Sequence, residues 1–355
     1  MQKVSILFTR PVKKTSLFLI QEGKIIVKTF PRWMQFVSVV LVFLCVFAFS
    51  RLVLTKAATP PNDAQPNALV CPSPPSNFDP LTASASELQY YGLPLRPQKN
   101  VSQWATLLKA AKHNVCDGTT DSGTTSQSRP SRTDSYSNSS NYWSGYFAQS
   151  SNFDFIQAEW TVPCYNSSHS PGNSRALTWV GIGGWYGNGY LWQGGTTEDS
   201  TNGYKFWWED FPIQNLQIVN GITVHCHDVA YVEADYNYSY SNRDYVYLLD
   251  TTTGYYHYEI VSSFTPNQQS ADWIDEREQC GSGNAYALAD FNTVSWSDAQ
   301  ATTTTHQQDN IANYTNYRTT MFDFNNTTQL ARPSSLNSDG QSFSDSWLAN
   351  GTSYC

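Results

Sequence analysis

Beyond Asn141 the chain carries no apolar period of 3.6 residues. Short runs that alternate apolar and polar residues replace it, among them 153–162 (FDFIQAEWTV), 216–224 and 245–261. Such alternation sends every second side chain to one face and predicts half-buried β-strands. Within 218–224 (IVNGITV) the Asn220-Gly221 step accepts the positive φ angles of a tight primed turn, which predicts a hairpin. A second hairpin is expected where DYVYLLD and YYHYEIV flank residues 251–254. Many strands, hairpin turns and no crossover helices predict an all-β fold, an antiparallel β-sandwich of two packed sheets over residues 136–355. Composition agrees, since aromatic residues make up 15% and charged residues only 14%, a balance suited to pleated, half-buried surfaces.

The N-terminal part reads differently. Residues 1–32 hold seven Lys or Arg and one acid, Glu22, ahead of the apolar run 33–54 (WMQFVSVVLVFLCVFAFSRLVL). That order predicts a basic cytoplasmic leader over 1–33, a signal peptide or signal anchor over 34–54, and export of the rest of the chain. The expected location is extracellular, either secreted or anchored to the outer face of the cytoplasmic membrane. The uninterrupted stretch 36–50 suits a signal peptide and residues 55–57 offer a processing site, whereas the long leader suits an anchor. The membrane is a partner only where 34–54 is uncleaved. Residues 55–135 read as a Pro- and Asn-rich linker followed by a short helical prosegment. In that prosegment Trp104, Leu107, Leu108 and Ala111 share one helix face within 102–113, with Ser102 as N-cap. The Gly-, Thr- and Ser-rich stretch 117–140 is a connector open to proteases, which marks the segment ahead of it as removable. Six cysteines lie outside the apolar run, an even number that in an exported chain reads as disulfides before metal. Cys71 and Cys116, both on the removable side, are expected to pair with each other.

Charge and motif content exclude several functions. Residues 131–355 carry 7 basic against 23 acidic side chains, no footing for nucleic-acid phosphates. Neither a GxSxG elbow nor a phosphate-binding glycine loop occurs. Asp121-Ser122-Gly123-Thr124 matches the turn that presents one carboxylate in aspartic peptidases, but that chemistry needs a second copy sharing the proton, and the chain holds none. His225-Cys226-His227-Asp228 would set two histidines on one face of a strand, as a metal site would; the plainer reading is a polar strand face with Cys226 in a disulfide. No metal or cofactor is expected. Three segments stand apart: 191–195 (LWQGG), 206–212 (FWWEDFP) and 271–276 (ADWIDE) each place a polar side chain among strand aromatics. A buried Gln or Glu is costly unless satisfied, so these segments, with 179–184 (WVGIGG), point to a lined, carboxylate-bearing cleft. From the residues alone such a cleft serves a glycan binder as well as a hydrolase.

The segments NYWSGYF (141–147), EWTVP (159–163), WVGIGG, LWQGGTTE, FWWEDFP, IVNGITV, ADWIDE and ADFNTVSWSDA (289–299) succeed one another in that order. The series resembles the glutamic peptidases, or eqolisins, from Asn141 to the C-terminus. Residues 87–97 (ELQYYGLPLRP) and the helix after them look like the region ahead of the domain in exported bacterial members. The resemblance implies a lectin-like β-sandwich that hydrolyses peptide bonds in acid, with a Gln/Glu dyad on neighbouring strands and no cofactor. Carried over by motif, the dyad is Gln193 and Glu276. Trp143, Trp179, Trp207 and Phe211 would line the substrate cleft, with Glu209 as an acidic neighbour of the dyad. Polypeptides are the implied substrates, and a monomer is expected. Glu276, ionised, would take a proton from a water attacking the peptide carbonyl, and the Gln193 amide would stabilise the oxyanion. Two positions depart from the pattern: Gly183 stands where some members carry Asp, which removes a substrate contact, and Asp275 stands where the family usually has an apolar residue. On a regular strand Asp275 faces away from Glu276, whereas a bulge would bring it round and couple the two carboxyls. The competing readings are a non-catalytic carbohydrate-binding sandwich and a glycosidase, although a glycosidase needs a carboxylate where the motif supplies the Gln193 amide.

Overall fold

The computed structural model describes residues 71–97, 101–115, 139–185, 190–200, 202–236, 244–261, 267–281, 283–304 and 308–355, together with the backbone of three strands at 17–21, 24–28 and 119–121. The run 34–54, Cys116 and the triplet Ser122 to Thr124 lie outside the described residues. Among the described residues no helix is long and apolar enough to cross a membrane. The chain divides into two units, Met1–Pro66 and Asn67–Cys355. In the first, strands β1 (Leu17–Gln21) and β2 (Lys24–Lys28) pair antiparallel.

The second unit is all-β apart from α1 (Ala85–Tyr90), α2 (Val101–Leu108) and a single 3-10 turn, among the described residues. Its first strands are β3 (His113–Asn114), β4 (Thr119–Asp121), β5 (Ser139–Ser140), β6 (Trp143–Gln149), β7 (Phe153–Thr161), β8 (Leu177–Gly183) and β9 (Leu191–Asp199). Next come β10 (Gly203–Phe211), β11 (Gln214–Val219), β12 (Val229–Asp235), β13 (Asp244–Asp250), β14 (Tyr255–Val261) and β15 (Ser270–Glu276). Finally there are β16 (Thr293–Thr303), β17 (Gln308–Asn310), β18 (Thr315–Phe322), β19 (Gln329–Pro333) and β20 (Phe343–Trp347).

Pairing is mostly antiparallel and continuous. One half runs β4-β11-β10-β9-β8-β15-β6, and the other β20-β16-β7-β12-β13-β14-β3, where only the last pair is parallel. Strand β18 joins them, because its residues 315–319 pair with β6 while Met321 and Phe322 pair with β19, which leads to β20.

The period-two alternation sorts each half into two faces. Val180, Ile182, Trp192, Trp208 and Trp273 of one half meet Ile156, Trp160, Val232, Val246, Leu248 and Trp296 of the other in one buried core. Buried indoles need an acceptor, and three of them find it across this core. Trp160 Nε1 donates to Thr196 Oγ1 at 2.9 Å, Trp273 Nε1 to the Gln157 carbonyl at 2.9 Å, and Trp192 Nε1 to the Asp235 and Tyr245 carbonyls, each at 3.1 Å. The opposite face of β6, β8, β9, β10 and β15 carries a second aromatic cluster. The opposite face of β12, β13 and β14 is covered by α1, α2 and the chain between them. Strands β8 and β9 are therefore buried along their whole length on both faces.

The strand β7 and the β13–β14 hairpin agree with the sequence expectation, with Gly254 at φ +82° in the turn. Three local expectations do not hold. The Asn220-Gly221 step turns the chain but builds no hairpin: β11 ends at Val219, and only Gly221 takes a positive φ (91°). Both edges of β11 are already taken, by β10 and β4, so residues 222–224 have no free edge to pair with. The helix spans Val101–Leu108 and not 102–113, so Ser102 lies inside it and is not its cap. Pairing of His113 and Asn114 with β14 takes over where the helix was expected to continue. Finally, residues 225–228 form a turn before β12 in place of a strand face, with the Asp228 carboxylate accepting from the His225 amide at 2.7 Å and His227 at φ +74°. Cys226 is disulfide-bonded to Cys164, and Cys280 to Cys355. Cys71 is disulfide-bonded outside these two pairs, and Cys116, its expected partner, lies outside the described residues.

Candidate active site

All seven residues singled out by sequence lie on one face, the outer face of the β10-β9-β8-β15-β6 sheet. Antiparallel register arranges them in rows. One row is Trp207–Gly195–Trp179–Ile274 and the next is Glu209–Gln193–Gly181–Asp272. Trp143 and Glu276 are direct partners on β6 and β15, and Phe211 ends β10 two residues beyond Glu209. The glycines of WVGIGG and LWQGG sit beside the large side chains. A Cβ on Gly195 would come within 2.7 Å of the Trp179 Cβ and 2.0 Å of the Thr178 carbonyl, and one on Gly181 within 2.9 Å of the Gln193 Cβ. Small residues here are what let Trp179 and Gln193 occupy neighbouring strands.

Glu276 is 1% exposed and its Oε2 accepts from Trp179 Nε1 at 2.8 Å. The Trp143 ring stands edge-on to Trp179, with centroids 5.3 Å apart, and leans on Trp185, which stacks on Phe147 at 3.8 Å. The carboxylate thus has a fixed donor in the Trp179 indole and an aromatic surround. Gln193 is fully buried. Its Nε2 donates to Glu209 Oε2, while its Oε1 has no hydrogen-bond partner among the described residues. A carboxylate only accepts, so Glu209 fixes which end of the amide is which. The second Nε2 hydrogen and Oε1 are left for a substrate or a water.

Gln193 and Glu276, expected on neighbouring strands, are not on adjacent ones. Strand β8 lies between them, and in register Glu276 is four residues further along β15 than Asp272, the residue in the Gln193 row. Among the described residues no hydrogen bond joins the two side chains. Trp179 occupies the intervening row and touches Glu276.

Asp275 faces the opposite way, as a regular strand requires. The register through Asp275 and Glu276 is unbroken, and Asp275 accepts from Thr178 Oγ1 at 2.7 Å and Trp296 Nε1 at 3.2 Å in the inner core. Burial pushes its pKa up to about 7. Nearby Asp345 is raised well above the carboxylate range, first by burial and then by the charge of Asp275. At Gly183 a Cβ would lie 2.5 Å from the Tyr190 carbonyl, and φ is +89°, so this backbone has no room for the Asp found in some eqolisins.

Two further groups were missed by sequence reading. Asp272 lies on the same face as Glu276, fully buried; Ser270 Oγ donates to its Oδ2 at 3.2 Å, and burial holds it protonated far above the usual carboxylate range. Its motif position, ahead of Trp273 and two residues along the alternation from Ile274, was the available signal. Arg277, also fully buried, anchors the end of β15: Nε donates to the Tyr286 carbonyl at 2.5 Å, Nη1 to Asp323 Oδ1 at 3.0 Å and Nη2 to the Thr352 carbonyl. A lone Arg beside the dyad motif gave no hint of those long-range partners.

No curated protein matches this chain significantly. Among solved structures, scytalido-glutamic peptidase with a transition state analog inhibitor matches at TM-score 0.50 and 21% identity, covering 59% of this chain and 98% of that one. SCP-B, a member of the eqolisin family solved with the tripeptide Ala-Ile-His, gives TM-score 0.48 and 20% identity over 59% and 98% of the two chains. Aspergilloglutamic peptidase from Aspergillus niger gives 0.41 and 22% over 49% and 99%. The model of the Peptidase A4 family matches residues 141–344, the stretch that carries the whole aromatic, carboxylate-bearing face. The chain belongs to the peptidase A4 family, the glutamic peptidases to which its motif series pointed.

Proposed function

We propose that this peptidase is an exported, acid-acting endopeptidase whose two working groups are Glu276 and Gln193, on the outer face of a lectin-like β-sandwich. The observation that carries the reading is the pairing of a buried carboxylate, held by the Trp179 indole, with a buried amide whose Oε1 has no hydrogen-bond partner among the described residues, both on one aromatic face. Glu276, ionised, removes a proton from a water as the water oxygen attacks the scissile carbonyl carbon. The free Nε2 hydrogen of Gln193 meets the developing oxyanion, a contribution typically worth about 2.7–4 kcal/mol in comparable sites. When the C–N bond breaks, Glu276 passes the same proton to the departing nitrogen. Trp143, Trp179, Trp207 and Phe211 offer apolar walls to the substrate's side chains. Export is supported by the two disulfides, which belong to oxidising compartments, and by the basic leader ahead of an apolar run.

The direct experiment is incubation of the full chain with a denatured protein across the acidic and neutral range. Internal cleavage in acid is expected; binding to glycans without cleavage would return the carbohydrate-binding reading. The same assay separates the two carboxylates. Glu209→Gln lets the amide of Gln193 turn either way, so kcat should fall on the order of 10-fold to 10²-fold, the scale of misplacing a reacting group by about 1 Å. The acid limb of the pH profile should persist. If it vanished and the loss equalled that of Glu276→Gln, Glu209 would be the base.

A further inference from the structure

The connector between the helical segment and the strands invites cutting, and the natural expectation is that the piece ahead of it then departs. The packing argues otherwise. We infer that residues 71–121 are a retained part of the folded enzyme, so that a cut beyond Asp121 leaves two chains held together without a covalent bond.

Three observations carry this. First, the strip of strands ends in β4 on one side and β3 on the other. Thr119, Thr120 and Asp121 pair with Val219, Ile218 and Gln217, and His113 and Asn114 pair with Tyr255 and Tyr256. Among the described residues, both free edges of the sheet are thus closed by residues upstream of Ser122. Losing them would bare the edges of β11 and β14, templates for aggregation.

Second, the outer face of β12–β14 is aromatic and covered. Tyr231, Tyr245, Tyr247, Leu249 and Tyr256 are buried against Leu88, Leu93, Trp104, Ala105 and Leu108. Burial of apolar side chains is the main stabilising term of a fold, and loss of the segment would return all of these aromatic side chains to water at once.

Third, polar ties lock the exit of the segment. The Lys112 and His113 amides donate to the Gly254 carbonyl at 2.8 and 3.0 Å, and the Val115 amide donates to the Tyr256 carbonyl at 2.8 Å. Tyr256 donates its hydroxyl to the Tyr91 carbonyl at 2.5 Å. His257 Nδ1 lies 2.6 Å from the Val115 carbonyl, which only accepts, so that nitrogen is the donor.

No disulfide adds to these ties. The cysteines of 139–355 are Cys164, Cys226, Cys280 and Cys355, and they pair among themselves. The covered face also lies on the far side of the core from the Gln193 and Glu276 face. Departure of α1 and α2 is therefore not what would open the site, and this holds whichever carboxylate on that face catalyses.

The test uses the full chain with the recognition sequence of a site-specific endoprotease inserted after Ser128. After complete cutting, the two fragments should co-elute in equal amounts on size exclusion at low and high salt, and separate only in denaturant. Once they are separated in denaturant, the larger fragment alone should fail to recover its β-type circular dichroism on dilution and should recover it when the smaller is added back. Separation of the fragments in native buffer, with the larger one keeping its β-type spectrum, would overturn the inference.

Discussion

Replacing Glu276 by Gln is expected to lower kcat/KM for peptide cleavage by roughly 10²–10⁴-fold, the range a general base supplies. The substitution keeps an acceptor for Trp179 Nε1, now 2.8 Å from the carboxylate, so the β-rich circular dichroism should be unchanged. Gln193→Ala should cost about 10²–10³-fold in kcat, the scale of losing one oxyanion donor. Because the two side chains serve one step, the double variant should be little worse than the more damaging single one. Retained activity in either single variant would remove that residue from the dyad, and equal loss of the β spectrum would assign it a structural role instead.

How far the sequence carries one toward this site depends on which residue is asked about. The face was legible because LWQGG, FWWEDFP and ADWIDE each place their polar residue at a fixed parity on a strand, and parity alone decides the face. The same rule sent Asp275 inward, where Thr178 and Trp296 hold it. What parity cannot supply is register, so the interposed β8 and the four-residue offset between Gln193 and Glu276 became visible only with the strands paired. The failed hairpin at Asn220-Gly221 has the same origin: the local turn preference is real, but β4 arrives from about a hundred residues earlier in the chain and takes the edge. Helix α2 was read from its apolar stripe, and its early end from nothing local, since a parallel pairing with β14 stops it. Asp272 escaped notice because a buried acid beside Ser270 looks, in sequence, like any polar strand residue.

Stability should fall as the pH rises from about 4 to about 7, the reverse of most proteins, because burial lifts several carboxyls to about 7: Asp154, Asp210, Glu233, Asp275 and Asp298. The sign comes from proton linkage. A carboxyl that titrates near 4 in the unfolded chain and near 7 when folded binds its proton more tightly in the native state, so its contribution is complete below the unfolded pKa and is lost as the pH rises through the folded one. Each pH unit between the two titrations corresponds to about 1.4 kcal/mol per group. Surface repulsion adds to the trend, since residues 131–355 hold 23 acidic against 7 basic side chains. Urea midpoints at acidic and neutral pH provide the measurement. Asp275→Asn cannot ionise and can still accept from Thr178 Oγ1, so it should flatten the dependence by up to one proton's worth of slope and lose less stability than the parent on going to neutral pH. A parent protein more stable at neutral pH than in acid would contradict the argument.

The most direct test of the central claim is the pH dependence of kcat/KM on a soluble peptide, measured with a strong chelator present throughout. Two limits shape the curve: Glu276 loses its role as base once it is protonated at the acid end, and the buried carboxyls that titrate near 7 weaken the fold at the other. The account predicts a bell lying wholly in the acidic range, indifferent to the chelator, whose acid limb disappears in the residual activity of Glu276→Gln. An optimum at neutral pH or above, or activity abolished by the chelator, would contradict it.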